Sequence, residues 1–222
     1  MARSRRSNLW LADTLWKLGA VQFGDFTLGR STVHSPVYIN LRLLIGHPTA
    51  LRRVAHVLLD ELRTLQQMRH PQVAPFDLVA GVPFGGLHVA TAFSLTAKVP
   101  MVYLHPRSDG LGQDIEGLYS PSQRVLIMDD LITGGGSILE TALHLEECGL
   151  LVRDAVVLVD RGQGGRERLR RHGINLVALL TLETLLNYLM SSRKIPEDWY
   201  RRSMDFLKSH HPVDDLPQED DG

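Results

Sequence analysis

Four apolar residues, two adjacent carboxylates and a run of glycines follow one another in Val125-Leu126-Ile127-Met128-Asp129-Asp130-Leu131-Ile132-Thr133-Gly134-Gly135-Gly136-Ser137. The apolar quartet predicts a buried strand that ends at the carboxylates, and the glycines predict a tight turn. Apolar residues at helical spacing from Ile138 to Cys148, with Gly149 as a stop, predict a helix behind it. Strand, glycine turn and helix N-terminus together make an anion site. Glycine lets backbone N–H groups approach a phosphate, and the first helical turn adds unpaired donors and the positive end of its dipole. Thr133 and Ser137 add hydroxyl donors. Carboxylates repel phosphate, so Asp129 and Asp130 need a different partner: sugar hydroxyls, or a hydroxyl-bound Mg²⁺ that offsets their charge. A ligand carrying a phosphate beside a diol satisfies both halves, and that describes a ribose 5-phosphate. The same residues also suit a capped helix behind a buried strand, with the acids serving as N-terminal charge.

Around this stretch the chain alternates strands and helices. Phe76 to Ala80, Met101 to Leu104, Val125 to Met128, Ala155 to Val159 and Asn175 to Leu180 read as strands. Leu87 to Ala97, Arg166 to Arg171 and Leu182 to Met190 read as helices between or after them. Such alternation predicts an α/β fold, with right-handed crossovers onto a largely parallel sheet covered on both faces. Ligands in such sheets bind outside the carboxyl ends of the strands, where the glycine turns and the Asp pair fall. The N-terminal part reads differently. Leu9 to Leu18 is a helix, Ala20 to Leu28 a strand, a turn and another strand, and Ser35 to Arg42 a strand with Pro36 at its start. Pro48 to about Gln67 is a long amphipathic helix, and Trp199 to Leu207 a last helix suited to packing.

Composition excludes several classes. The 222 residues are enough for one domain with a full core, and a formal charge of −1 gives no field for nucleic acid. No apolar run approaches the ~18 residues of a membrane span. The single Cys148 excludes an internal disulfide and suits a reducing cytoplasm. Residues 1–8 read as a basic, flexible start without a secretory core, and residues 209–222 as a disordered acidic tail. His34, His88 and His144 have no metal-ligand spacing and read as surface or packing residues.

Two further turns stand at strand ends. Gly81-Val82-Pro83-Phe84-Gly85-Gly86 is a second candidate anion cradle, or simply a tight connection. Asp160-Arg161-Gly162-Gln163-Gly164-Gly165 offers an arginine able to grip a carboxylate or a planar base, or a surface Asp-Arg pair before a helix.

The stretch from Val125 to Ser137 closely resembles the PRPP-binding signature of type I phosphoribosyltransferases. The Asp160-Arg161 turn, together with Phe23-Gly24-Asp25-Phe26-Thr27-Leu28 and Ser35-Pro36-Val37-Tyr38-Ile39-Asn40, resembles orotate phosphoribosyltransferases. The resemblance runs from about Leu9 to Leu207. It implies one domain over residues 9–208, with a small hood mainly from residues 9–45 closing over the base. It implies that Asp129 and Asp130 meet the ribose hydroxyls and that Thr133, Gly134, Gly135, Gly136 and Ser137 hold the 5-phosphate. Val82, Pro83, Phe84, Gly85 and Gly86 would hold the pyrophosphate, and Arg161, Tyr38 and Ile39 the orotate. The reaction it implies joins orotate to PRPP, giving orotidine 5′-monophosphate and diphosphate for pyrimidine synthesis. Mg²⁺ would be held mainly by PRPP rather than by protein ligands, and two copies of the chain would pair.

Three positions depart from that pattern. Gly134 replaces a residue that often carries a hydroxyl. The mobile loop of the family usually brings lysines to the departing pyrophosphate, whereas residues 104–117 contain none. His105 and Arg107 are the cations there, and Arg30 is the nearest substitute for a hood lysine that often meets orotate. Loss of a transition-state charge partner typically lowers a rate by ~10²–10³. The pattern therefore also accommodates a PRPP- or nucleotide-binding relative with weak catalysis that acts as a sensor or partner subunit, or a transferase for another base.

Overall fold

The computed structural model describes residues 8–28, 32–106 and 113–209. Arg30, Arg107, the basic start and the acidic tail lie outside the described residues, apart from Asn8 and Ser209. Helix α1 (Leu9–Lys17) leads into strands β1 (Val21–Leu28) and β2 (Thr32–Ile39), a short 3₁₀ helix (Leu41–Gly46) and the long α2 (Pro48–Gln66). The alternating part follows: β3 (Leu78–Gly81), α3 (Gly85–Ala97), β4 (Met101–Pro106), β5 (Gln113–Glu116), β6 (Arg124–Ile132) and α4 (Gly136–Glu147). Strand β7 (Leu151–Asp160), α5 (Gly165–Arg171), β8 (Asn175–Thr181), α6 (Leu182–Ser191) and α7 (Glu197–Ser209) complete it.

Six strands make the main sheet in the order β5-β4-β3-β6-β7-β8, parallel throughout except for β5, which runs against β4 at the edge. Strand β6 is thus central, between β3 and β7. Its side chains alternate between two cores, as a strand's period of two requires. Leu126 and Met128 pack with α1, α2, α3 and α6, while Val125 and Ile127 pack with α4 and α5 on the opposite face. Apolar side chains on both faces explain why the sheet strands read as continuous apolar runs.

The two-stranded sheet β1-β2 stands apart as the hood. The Phe23 ring lies 6.4 Å from Trp16 and 5.8 Å from Trp199, so α1 and α7 clamp it to the body. Here the sequence expectation needs correction. Residues Val21–Leu28 form one strand, not strand, turn and strand. Phe23 pairs with Val37 and Phe26 with Ser35, which leaves Gly24 and Asp25 opposite the single Pro36. That is a β-bulge. It absorbs the glycine that read as a turn, and it gives Pro36 a place inside a strand where no ladder N–H is needed. Leu41 and Arg42 belong to the 3₁₀ helix rather than to β2.

Two more boundaries move. Strand β6 continues past Met128 to Ile132, because Asp129 and Leu131 keep pairing with Val157 and Val159 of β7. Residues Gln113–Glu116, which read as loop, return as the edge strand β5. Both differences come from pairing with a neighbour distant in sequence, which local pattern does not carry.

Candidate active site

Three turns meet at the carboxyl edge of the main sheet. The first follows β6. Gly135 holds a left-handed backbone (φ 76°) immediately before α4 and provides no side-chain cap. The N–H groups that open α4 therefore face a cavity of about 330 Å³, lined by Asp129, Thr133, Gly134, Ser137 and Arg168 among others.

The second turn follows β3, next to β6. Val82 donates to the Met128 carbonyl at 3.0 Å and Gly86 to the Val82 carbonyl at 2.9 Å, which folds the turn onto β6. The Phe84 and Gly85 N–H groups donate to no backbone acceptor among the described residues. The Pro83–Phe84 peptide is cis and the Phe84 side chain is 81% exposed. Close approach explains both glycines of α3. A Cβ on Gly85 would overlap the Asp130 carboxyl group, and one on Gly86 would overlap the Met128 carbonyl oxygen.

The acid pair sits between these turns. Asp129 is 8% exposed, and its Oδ1 accepts from the Asp130 N–H at 2.8 Å. Burial first, then the neighbouring Asp130, pushes the Asp129 carboxyl well above its ordinary range. Burial raises Asp130 too, opposed by His88, by its contact with Asp129, and by Arg42. The pair is short of donors, which a sugar diol or a metal-bound water supplies. Among the described residues no cluster of three His, Cys, Asp or Glu side chains can hold a metal ion.

The third turn follows β7 and bonds to the first. Arg161 N–H donates to Ile132 and Gly165 N–H to Thr133, both at 3.0 Å. The Asp160-Arg161 pair is not an ion pair. Asp160 accepts from Arg166 Nε and Nη2 at 3.2 and 3.1 Å. Arg161 turns the other way, 2% exposed, and donates to Gln163 Oε1 at 2.8 Å and to Ser35 Oγ of the hood at 3.0 Å. Burial lowers its guanidinium to about 10. A smaller cavity of about 200 Å³ opens beside it, lined also by Glu183 and Lys208.

The remaining residues singled out in the sequence fall at different distances from this centre. The Tyr38 ring faces Phe26 at 5.5 Å, and its hydroxyl accepts from Arg42 Nη2 at 3.3 Å. Ile39 turns its side chain into the core and pairs with Val21 of β1. His105 is exposed on β4, two strands away from β6, with Asp114 as its register partner.

Four further residues stand near the site without a sequence motif that assigns them to it, among them His88, which the sequence places as surface or packing. His88 buries both ring nitrogens without a hydrogen-bond partner, on the helix whose first residue touches Asp130. Arg42, Lys208 and Arg168 bring cations to the acid pair, the Arg161 cavity and the glycine turn respectively. No motif marks any of them. Only the third residue after a glycine, in Gly165-Arg166-Glu167-Arg168, hints that one face of α5 could point back at the turn.

Comparison with known proteins decides the family. A phosphoribosyl transferase domain profile matches residues 47–172. The Chlamydia caviae orotate phosphoribosyltransferase is 37% identical over 190 residues, 82% of this chain and 86% of that one. The chain belongs to the orotate phosphoribosyltransferase family. Uridine 5′-monophosphate synthase of Bos taurus is also 37% identical, over 214 residues. That match covers 93% of this chain, which spans 43% of the bovine protein's length. The Leishmania donovani UMP synthase structure superposes with a TM-score of 0.82 at 33% identity, over 93% of this chain and 43% of that one. No helix among the described residues is long and apolar enough to cross a membrane.

Proposed function

We propose that this chain joins orotate to the ribose 5-phosphate of PRPP, giving orotidine 5′-monophosphate and diphosphate. The observation that carries the reading is Arg161. A buried guanidinium that pairs with no carboxylate among the described residues, tied to the hood and opening on a cavity lined by Asp160, Glu183 and Lys208, calls for an anionic planar ligand. Orotate is such a ligand, and it would lie between Arg161 and the hood residues Tyr38, Ile39 and Arg30. The glycine turn before α4 takes the 5-phosphate and the Val82–Gly86 turn the pyrophosphate, each with unpaired N–H groups. Asp129 and Asp130 orient the ribose through its hydroxyls.

No covalent nucleophile is needed. Holding the ring nitrogen of orotate against C1 of the ribose, and neutralising charge on the departing pyrophosphate, supply most of the acceleration. His105 and Arg107 serve that second role in place of lysines. Mg²⁺, held mainly through PRPP beside Asp129 and Asp130, would supply charge neutralisation at the pyrophosphate. The working unit in this reading is a homodimer, which light scattering would establish.

The test mixes purified protein with PRPP, Mg²⁺ and orotate and follows the ultraviolet absorbance of orotate, with Asp129→Asn/Asp130→Asn as control. Consumption that the double substitution abolishes supports the transferase. A second reading, a PRPP-binding relative with little turnover, draws on the absence of lysine from residues 104–117. It predicts protection against heat by PRPP with no consumption of orotate. Consumption of another base in its place would reassign the substrate.

A further inference from the structure

Arg168 stands at the mouth of the glycine turn, on a different element from every residue that the signature contributes. It lies on α5, while the turn belongs to the link between β6 and α4. Its Nη1 is 3.5 Å from the Gly134 carbonyl oxygen and 3.7 Å from where a Cβ on Gly136 would stand. Among the described residues the carbonyl of Gly134 is the one acceptor its guanidinium meets. At that distance the bond is at the outer limit of the geometry and weak, so the guanidinium is held near the cavity without being spent. Gly134 itself leaves open space, since a Cβ there would meet nothing within 4 Å.

We infer that Arg168 is a ligand of the 5-phosphate, its guanidinium reaching from α5 over the Gly134 carbonyl into the cradle, where it does the work of the hydroxyl that Gly134 lacks. This rests on the phosphoribosyltransferase reading of the cradle. The chemistry is direct. A dianionic phosphate is a far better acceptor than a neutral carbonyl, and the planar fork of arginine matches two phosphate oxygens at once. Packing fixes the approach: Gly165 is pressed against Ile132 and Thr133, so α5 is held rigidly to the turn it serves. Arg168 is exposed on its other side, so its replacement leaves the core untouched.

The experiment compares the full chain with Arg168→Gln and with Arg168→Gln/Gly134→Thr. Inorganic phosphate binding is measured by calorimetry, and PRPP and orotate kinetics by the absorbance assay. Arg168→Gln is expected to weaken inorganic phosphate and to raise the PRPP KM by about tenfold, with kcat and the orotate KM little changed. The weakening shrinks as salt is raised, because a surface-accessible charge pair is screened. Restoring a hydroxyl with Gly134→Thr recovers part of the loss. A PRPP KM and a phosphate affinity in Arg168→Gln within about twofold of wild type would overturn the assignment. If wild type binds phosphate more tightly than Arg168→Gln yet consumes no orotate, the Arg168 assignment stands and the orotate reading falls. If wild type binds no phosphate, both fall.

Discussion

Arg161 donates from Nη2 to Ser35 Oγ at 3.0 Å, joining the end of β7 to the hood across 126 positions of chain. Ser35 is fully buried and its hydroxyl in turn donates to the Val37 carbonyl at 2.7 Å. One hydroxyl thus orients the buried guanidinium and ties it to β2.

Ser35→Ala removes that acceptor and leaves the Arg161 cation short of a partner in a buried place. The expected cost is ~2 kcal/mol of stability, the usual scale for a buried hydrogen bond to a charged group. Denaturant unfolding measures it. In the absorbance assay the orotate KM rises several-fold while the PRPP KM holds, since the phosphate cradle lies on other residues.

Asp129→Asn should stabilise the protein without ligand while abolishing turnover. Burial raises the folded-state pKa of Asp129 above its ordinary value of 3.8. The folded state then binds more protons than the unfolded chain, so stability is full below that value and falls as pH rises through the raised pKa. Melting temperatures between pH 4 and 8 should decline less steeply in Asp129→Asn than in wild type. An unchanged slope would show that the carboxylate is not paying for its burial.

His88 works in the opposite sense. Burial lowers its pKa below the ordinary 6.5, against the opposing pull of Asp130. Between the lowered value and 6.5 the unfolded chain binds more protons, so stability rises with pH across that window. His88→Leu removes a ring whose nitrogens have no partner and should flatten the profile there, with a melting temperature at pH 5.5 above that of wild type.

Gly86→Ala probes the close approach of α3 to β6. The added methyl would meet the Met128 carbonyl, which is backbone and cannot swing aside. Overpacking of this kind costs about 1–3 kcal/mol. It also displaces the Val82–Gly86 turn, so the PRPP KM rises more than the stability loss alone accounts for. Gly134→Ala, with open space around it, is the matched control and keeps its stability.

The body of the fold was readable because its signals are local. Apolar runs for β3, β6, β7 and β8, helical spacing for α3, α4 and α6, and glycines at the turns need no knowledge of what they pack against. The hood was less readable. Gly24 and Pro36 are turn and strand-edge residues by propensity, and only their mutual position across the hairpin makes them a bulge. The edge strand β5 was missed for a related reason: Gln113–Glu116 is polar and short, and pairing with β4 alone makes it a strand.

The site divides along the same line. Asp129, Asp130 and the glycines of both turns were legible as candidates because each group occupies a few consecutive positions, where residue type alone suggests a phosphate or a diol. The partners of Arg161 were not: adjacency in sequence offered Asp160, and the fold gave Asp160 to Arg166 and Arg161 to Ser35. His88, Arg42, Lys208 and Arg168 carry no local signature at all. Sequence by itself determined the alternating sheet, the acid pair and the two glycine turns at strand ends, because backbone geometry and nearest-neighbour chemistry specify them. Which charges surround those turns was decided only in three dimensions, because electrostatic partners are chosen by distance through space, and a charge on α5 or α7 has no spacing along the chain that would announce it.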